Sequence, residues 1–225
     1  MPDRAVHVIR KKSRLGHLWV FSNEIRRVEG NPAAGDTVLV YERGRLLGSG
    51  FYNPNSLIQI RLYSQLNDDF DLDFALRKIN QAYQYRKKVL PQEDDFRLVY
   101  GESDSLPGIV IDKYGNHFTL QTFTQGAELR KEILAQALRE LFPVQSIFEK
   151  NDFRLRDIES LPRQEGLLYG EIDEKIMIHE NQAKFYVNIK AGQKTGYFFD
   201  HRLTRAKVRG LCQERSSRLG DRRWS

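Results

Sequence analysis

The sequence has 225 residues, of which 40% are hydrophobic and 29% charged, with a formal net charge of +6. This balance excludes a disordered or fibrous chain, and no run approaches the roughly 20 consecutive apolar residues needed to span a bilayer. A single cysteine, Cys212, and five histidines without ligand spacing exclude a disulfide framework and leave no expectation of a metal.

The N-terminal stretch has no continuous apolar segment followed by a small-residue cleavage site, so a cytoplasmic protein is expected. Residues 1–30 carry seven Lys/Arg against three acids. Cationic side chains neutralise phosphates, which makes Arg10, Lys11, Lys12, Arg14, Arg26 and Arg27 the candidate RNA-binding residues. Trp19 and Phe21 lie inside this run and are read as core ahead of base-stacking platforms.

The first seventy residues read as short strands between turn signals. Val6–Ile9, Thr37–Tyr41, Leu46–Phe51 and Leu57–Leu62 are strand-like, with a short helix near Leu15–Val20, and the spacing predicts a small β-barrel. Leu72, Leu76, Ile79, Tyr83 and Leu90 then fall at helical intervals, giving a connecting helix over 71–90. Phe96–Tyr100, Gly108–Asp112 and His117–Phe123 are strands, followed by a helix over 127–142 and a strand at Val144–Phe148. Lys175–His179 and Lys184–Ile189 alternate as an antiparallel pair. The fold class expected is α+β, a barrel followed by a strand–strand–helix–strand–strand sandwich rather than a doubly wound sheet.

Two loops contain groups able to do chemistry. Gly101–Gly108 (GESDSLPG) could form an active-site loop, but its Ser and Asp residues read better as a tight turn. Gly192–Arg202 (GQKTGYFFDHR) follows a strand and precedes a helix, with Asp200 in the N-cap position. The Lys194 cation, the Thr195 hydroxyl and the backbone around Gly196 suit an anionic or carboxylate-bearing ligand. A plain strand-to-helix turn carries equal weight on these residues alone.

GQKTGYFFDHR resembles a signature of the ribosomal RNA large subunit methyltransferase I family, which makes 5-methylcytosine in large-subunit ribosomal RNA. His17–Ser22 (HLWVFS), Gly50–Pro54 with Ile58 and Arg61, and Gly101–Asp104 with Leu106–Gly108 are similar to further stretches of that family in the same order. The resemblance covers residues 4–211. It implies a PUA domain over 1–70, a connecting helix and linker over 71–94 and a central α+β domain over 95–190. A methyltransferase domain would begin at 191–211. S-adenosylmethionine is the implied cofactor, with Lys194, Thr195, Gly196, Tyr197, Asp200 and Arg202 on its wall or that of the target base.

The family needs a glycine-rich turn for the cofactor and a cysteine nucleophile. After Arg209 neither an apolar strand nor such a turn can be read, and residues 212–225 look like an abnormal or disordered tail. The expectation is therefore an RNA-binding front part whose Rossmann-like methyltransferase domain is absent or truncated. Such a chain would be inactive alone, with no catalytic residue assigned. The alternative is a stand-alone, regulatory PUA protein without catalysis. The partner expected is ribosomal RNA, with a homodimer as the assembly considered and no membrane or metal involved.

Overall fold

Alternating apolar residues build the first sheet. The computed structural model describes residues 4–10, 17–181 and 183–220, with side chains up to Cys212. Strands β1 (Ala5–Val8), β2 (Trp19–Phe21), β3 (Ile25–Val28), β4 (Thr37–Glu42), β5 (Arg45–Tyr52) and β6 (Ile58–Ser64) form one six-stranded sheet. Their order is β2-β6-β5-β4-β1-β3, with β1 and β4 parallel. Val6, Val8, Val20, Val38, Val40, Ile60 and Leu62 form a core among these same strands. A sheet that buries its own inward residues against one another must curl, which gives the barrel.

Helix α1 (Leu72–Val89) leaves the barrel with Asp71 as its cap, whose carboxylate accepts the Phe74 N–H at 2.8 Å. Strands β7 (Phe96–Tyr100), β8 (Ile109–Tyr114), β9 (His117–Thr122), β10 (Ser146–Lys150) and β11 (Glu165–Gly170) make a second sheet, ordered β11-β10-β9-β8-β7. The short helix α2 (Gln125–Glu128) and α3 (Lys131–Leu141) carry the chain from β9 to β10, and α4 (Leu155–Ile158) lies between β10 and β11. Successive residues of β10 serve opposite faces, as the strand period requires. Ile147 joins the core under α1 and α3, whereas Phe148 joins a second core with the hairpin of β12 (Ile176–Glu180) and β13 (Ala183–Val187). Helix α5 (Arg202–Gly220) ends the described chain.

The barrel and the second sheet share side chains. Phe51 of β5 and Tyr63 of β6 stack with Phe70 and Phe74 at centroid distances of 4.9–5.3 Å, inside the core of α1, α3 and β7–β10. Gly126 is required here, because a Cβ at that position would lie 2.2 Å from the Phe51 ring. Arg130 donates to the Gly35 carbonyl and Thr37 Oγ1 at 2.5 and 3.0 Å while lying over Phe51.

The expected strand–strand–helix–strand–strand α+β sandwich needs correction. β9 and β10 run parallel across α3, a βαβ crossover in an otherwise antiparallel sheet, and the 176–187 pair forms its own two-stranded sheet on the other face. Periodicity identifies strands but carries no pairing direction. β3 and β11 escaped notice because Arg26-Arg27 and Gly166 interrupt the apolar alternation. The helix expected at Leu15–Val20 is absent over residues 17–20. Trp19–Phe21 instead pairs antiparallel with β6, as β-branched and aromatic residues favour, and residues 15–16 lie outside the described part.

Arg156 locks the β9–β10 side of the sheet. Its fully buried guanidinium donates to the Thr122 carbonyl (2.6 Å), Thr122 Oγ1 (2.9 Å), Glu128 (3.0 Å) and the Pro162 carbonyl (2.8 Å). Arg156→Met removes the cation and strands these acceptors. Urea unfolding should register a loss of about 3–5 kcal/mol; a change within about 0.5 kcal/mol, as for an ordinary surface substitution, would contradict the structural role.

Candidate functional site

Two acidic residues, Asp112 and Asp95, fasten the segment after β11 to the sheet, and a third, Glu180, ties β12 to α5 within that segment. Asp112 of β8 is fully buried and takes two bonds from Arg97, at 2.9 and 3.0 Å. Thr195 Oγ1 donates to the same carboxylate at 2.5 Å, and the Thr195 carbonyl accepts the Tyr114 hydroxyl at 3.1 Å. Asp95 accepts the N–H groups of Gly115 and His179, each at 2.7 Å, joining the β8–β9 turn to β12. Burial raises the Asp95 pKa. Glu180 at the end of β12 takes Arg205 at 2.6 and 2.8 Å and Arg202 at 3.3 Å. Lys150 Nζ donates to the carbonyls of Ile189 and Lys190, at 2.8 and 2.7 Å, holding the start of the turn.

This anchoring divides the six cofactor-side candidates. Thr195 is fully buried and bonded to the sheet. Arg202 is buried, donates to the Asp95 carbonyl and to Glu180, and leaves Nη1 without a partner. Gly196 has φ +119°, and a Cβ there would sit 3.2 Å from Ile189 Cα, so the turn takes glycine at this position. The Tyr197 ring meets Phe199 edge-on at 5.2 Å and lies under Arg205. Its hydroxyl pKa is pushed up to about 12 by burial and by the nearby Glu180 charge. Lys194 and Asp200 remain exposed, 3.8 Å apart, with the Lys194 ammonium 4.4 Å from the Phe198 ring centre. Asp200 does not cap a helix by side chain. It lies within the 3-10 turn Phe199–His201 that leads into α5.

Lys194 and Asp200 open onto a cleft of about 470 Å³ that Arg86, Arg97 and Tyr100 also line. Across Tyr100 lies a second cleft of about 400 Å³, between the barrel and the sheet, lined by Trp19, Arg61, Glu102 and Ile158 among others. Tyr100 lines both clefts, and the Gly101–Gly108 loop lines the second through Gly101, Glu102, Ser103 and Gly108. Its Asp104 receives Arg86 in a two-pronged pair at 2.5 and 2.7 Å. Its Glu102 accepts Trp19 Nε1 at 2.7 Å and Arg61 at 3.2 Å, both on Oε1. The loop is thus the turn its Ser and Asp residues suggest, and it also joins barrel to sheet.

The candidate RNA-binding residues are dispersed. Arg10 is drawn inward, with its guanidinium 3.4 Å from Glu42 and its backbone N–H donating to the same carboxylate. Arg26 and Arg27 are exposed on β3, Arg27 paired with Glu29 at 3.0 Å. Lys11, Lys12 and Arg14 lie outside the described residues. Sequence reasoning missed Arg97, Asp112 and Tyr100. The available signal was Asp112 itself, a carboxylate ending the apolar run Ile109–Ile111, where a buried charge demands a partner.

Glu180 gives the site a pH dependence. Burial alone would raise its pKa from the ordinary 4.5, but Arg205 and Arg202 outweigh burial and lower it. A depressed folded-state value contributes stability that is present above 4.5 and lost as pH falls through the folded value. Amide-exchange protection of β12 and α5 should therefore drop on acidification below that point, and Glu180→Gln should abolish the step while lowering protection at neutral pH. An identical acid profile in the variant would contradict the assignment.

Residues 9–65 match the PUA-like domain family. Among full proteins, the chain is 41% identical over 213 residues to a ribosomal RNA large subunit methyltransferase I of Tolumonas auensis, covering 92% of this chain and 54% of that protein. The same enzyme of Aeromonas salmonicida is 40% identical over 205 residues, covering 88% and 52%. The chain spans about half the length of the curated relatives it matches. Among solved structures, a protein from Streptococcus mutans assigned as a SAM-dependent methyltransferase matches at TM-score 0.73 and 21% identity, over 91% of this chain and 53% of that one. Another assigned methyltransferase, solved in complex with SAH, matches at TM-score 0.70 and 21% identity, over 89% and 51%.

These matches correct the expectation of an absent or truncated Rossmann-like methyltransferase domain only so far as likeness to a methyltransferase fold runs along 91% of this chain and 53% of the neighbour. The missing signal was an apolar strand and glycine-rich turn after Arg209, and α5 occupies that stretch. The expectations of an RNA-binding front part alone and of a stand-alone PUA protein are corrected in the same way, because the likeness to methyltransferases runs well past the PUA-like residues. The relatives aligned along 92% and 88% of the chain are themselves ribosomal RNA methyltransferases. The resemblance to the ribosomal RNA large subunit methyltransferase I family is borne out by relatives 40–41% identical along about 90% of this chain and about half of their own length.

Proposed function

We propose that this protein serves S-adenosylmethionine-dependent methylation of large-subunit ribosomal RNA. The observation that carries the reading is the Gly192–Arg202 turn. It is fixed to the sheet through Thr195, Asp112 and Arg97, while Lys194 and Asp200 stay exposed at the mouth of a cleft. Precise positioning of a few exposed charged groups by buried ones is how a ligand wall is preorganised. Relatives named for ribosomal RNA methylation, and a fold neighbour solved with SAH, support the choice of substrate and cofactor.

The unpartnered Arg202 Nη1 and the chemistry of the exposed pair fit such a cofactor. Lys194 would hold its carboxylate, and Asp200 its amino or ribose hydroxyl groups. Thr195, Gly196, Tyr197 and Arg202 would keep that wall in shape. The cofactor, when bound, supplies an activated methyl group. Arg26 and Arg27 on β3 would add phosphate contacts that raise affinity without reading sequence. No helix among the described residues is long and apolar enough to cross a membrane, in keeping with an RNA substrate met in aqueous solution.

Mass spectrometry of nucleosides and fragments from large-subunit ribosomal RNA, with and without the gene, tests the reading. One methylated base should disappear on deletion and return on complementation, but not with Lys194→Glu/Asp200→Lys. An unchanged modification profile on deletion would contradict it.

A further inference from the structure

The barrel–sheet cleft beside Tyr100 carries a pattern that the methyltransferase reading does not use, and it continues to the rim of the cleft at Lys194. Two aromatic rings that line these clefts, Trp19 and Tyr100, and Phe198 beside Lys194 each carry a cation. Arg61 Cζ lies 5.2 Å from the Trp19 ring centre, Arg97 Cζ 5.4 Å from Tyr100, and Lys194 Nζ 4.4 Å from Phe198. Trp19 and Tyr100 line the barrel–sheet cleft; Tyr100 and Lys194 line the neighbouring one. Tyr100 is 55% exposed at the end of the edge strand β7, where its ring faces both clefts.

The cations here are mostly spent on carboxylates. Arg61 is paired with Glu102, Arg86 with Asp104, Arg97 with Asp112 and Lys194 with Asp200. A polyanion backbone would gain little from such neutralised groups. Paired guanidinium groups do make fixed, flat plates beside aromatic rings, and unpaired bases stack on such plates. Glu102 adds an edge reader. Both of its bonds fall on Oε1, leaving Oε2 without a partner among the described residues, where it can accept from an exocyclic amine.

We infer that the barrel–sheet cleft is a nucleobase site, in which an unpaired base bearing an exocyclic amine stacks beside Trp19 and Tyr100 and donates to Glu102. The strand continues past Tyr100 toward Lys194 and Phe198. This rests on the ribosomal RNA reading above and deepens it, separating base contacts in the clefts from phosphate contacts on the barrel.

Trp19 reports on its own site, because Trp224→Phe leaves it the single tryptophan of the full chain. Single-stranded oligocytidine and oligouridine of about eight residues are suitable probes, within the usual site size for single strands. They are pyrimidines of similar stacking that differ in amino against keto groups. Oligocytidine should quench Trp19 emission. Tyr100→Ala should weaken its binding about tenfold, the loss of one stacked base, with the salt slope unchanged, and Tyr100→Phe should restore it. Oligouridine should bind more weakly, and Glu102→Gln should narrow that difference. If ribosomal RNA binds but Trp19 emission and Tyr100→Ala affinity do not change, the nucleobase site is overturned and the RNA reading stands. If neither ribosomal RNA nor the oligonucleotides bind, both are overturned.

Discussion

The shared burial of Phe51, Tyr63, Phe70 and Phe74 is the constraint on which the remaining architecture depends. Phe51 and Tyr63 belong to the barrel by sequence but are buried in the core of the second sheet. Each aromatic contributes roughly 1.5–3 kcal/mol by leaving water, so separating the two parts would expose these four rings. The Gly126 backbone meets the Phe51 ring without a Cβ between them, and Arg130 closes over the other side. Barrel and sheet are therefore held at one angle. That angle brings Trp19 and Arg61 to Glu102, and Asn53 and Ser56 to Glu159 at 2.7 and 2.9 Å.

From this frame the functional side chains fall into two kinds. Buried carboxylates at 95, 112 and 180 are matched by N–H groups, a hydroxyl or guanidinium groups, and these matches fix the path of the chain from β12 to α5. Exposed groups at the same loops, Tyr100, Lys194 and Asp200, stand at the cleft mouths. A buried ion pair adds little net stability against an apolar substitute but tolerates few alternative geometries. In this molecule such pairs set positions for the exposed groups that, on the proposed reading, would meet the ligand.

Much of this was legible in the sequence and some of it was not. β7, α1 and the antiparallel 176–187 pair follow from period and turn residues, and the tight turn at Gly115-Asn116 from its composition. The candidate turn at 192–202 was legible as chemistry because glycine, lysine and threonine cluster there. What escaped is what local pattern cannot carry. Parallel pairing of β9 with β10 depends on the crossover, and the inward turn of Arg10 depends on Glu42, 32 positions away. The division of labour within 192–202 depends on Asp112, Asp95 and Glu180, none of them in the motif. The lost apolar period after Leu211 suggested a missing domain, whereas the fold likeness runs along 91% of this chain and 53% of its neighbour.

The most direct test of the account is ultraviolet crosslinking of the protein to large-subunit ribosomal RNA, with crosslinked peptides mapped by mass spectrometry. The account predicts adducts at Trp19, Tyr100 and Phe198, along the clefts between barrel, sheet and candidate turn. Adducts confined to the outer face of β3, with these three rings unmodified, would mean that RNA meets the protein through its exposed charges alone and would contradict it.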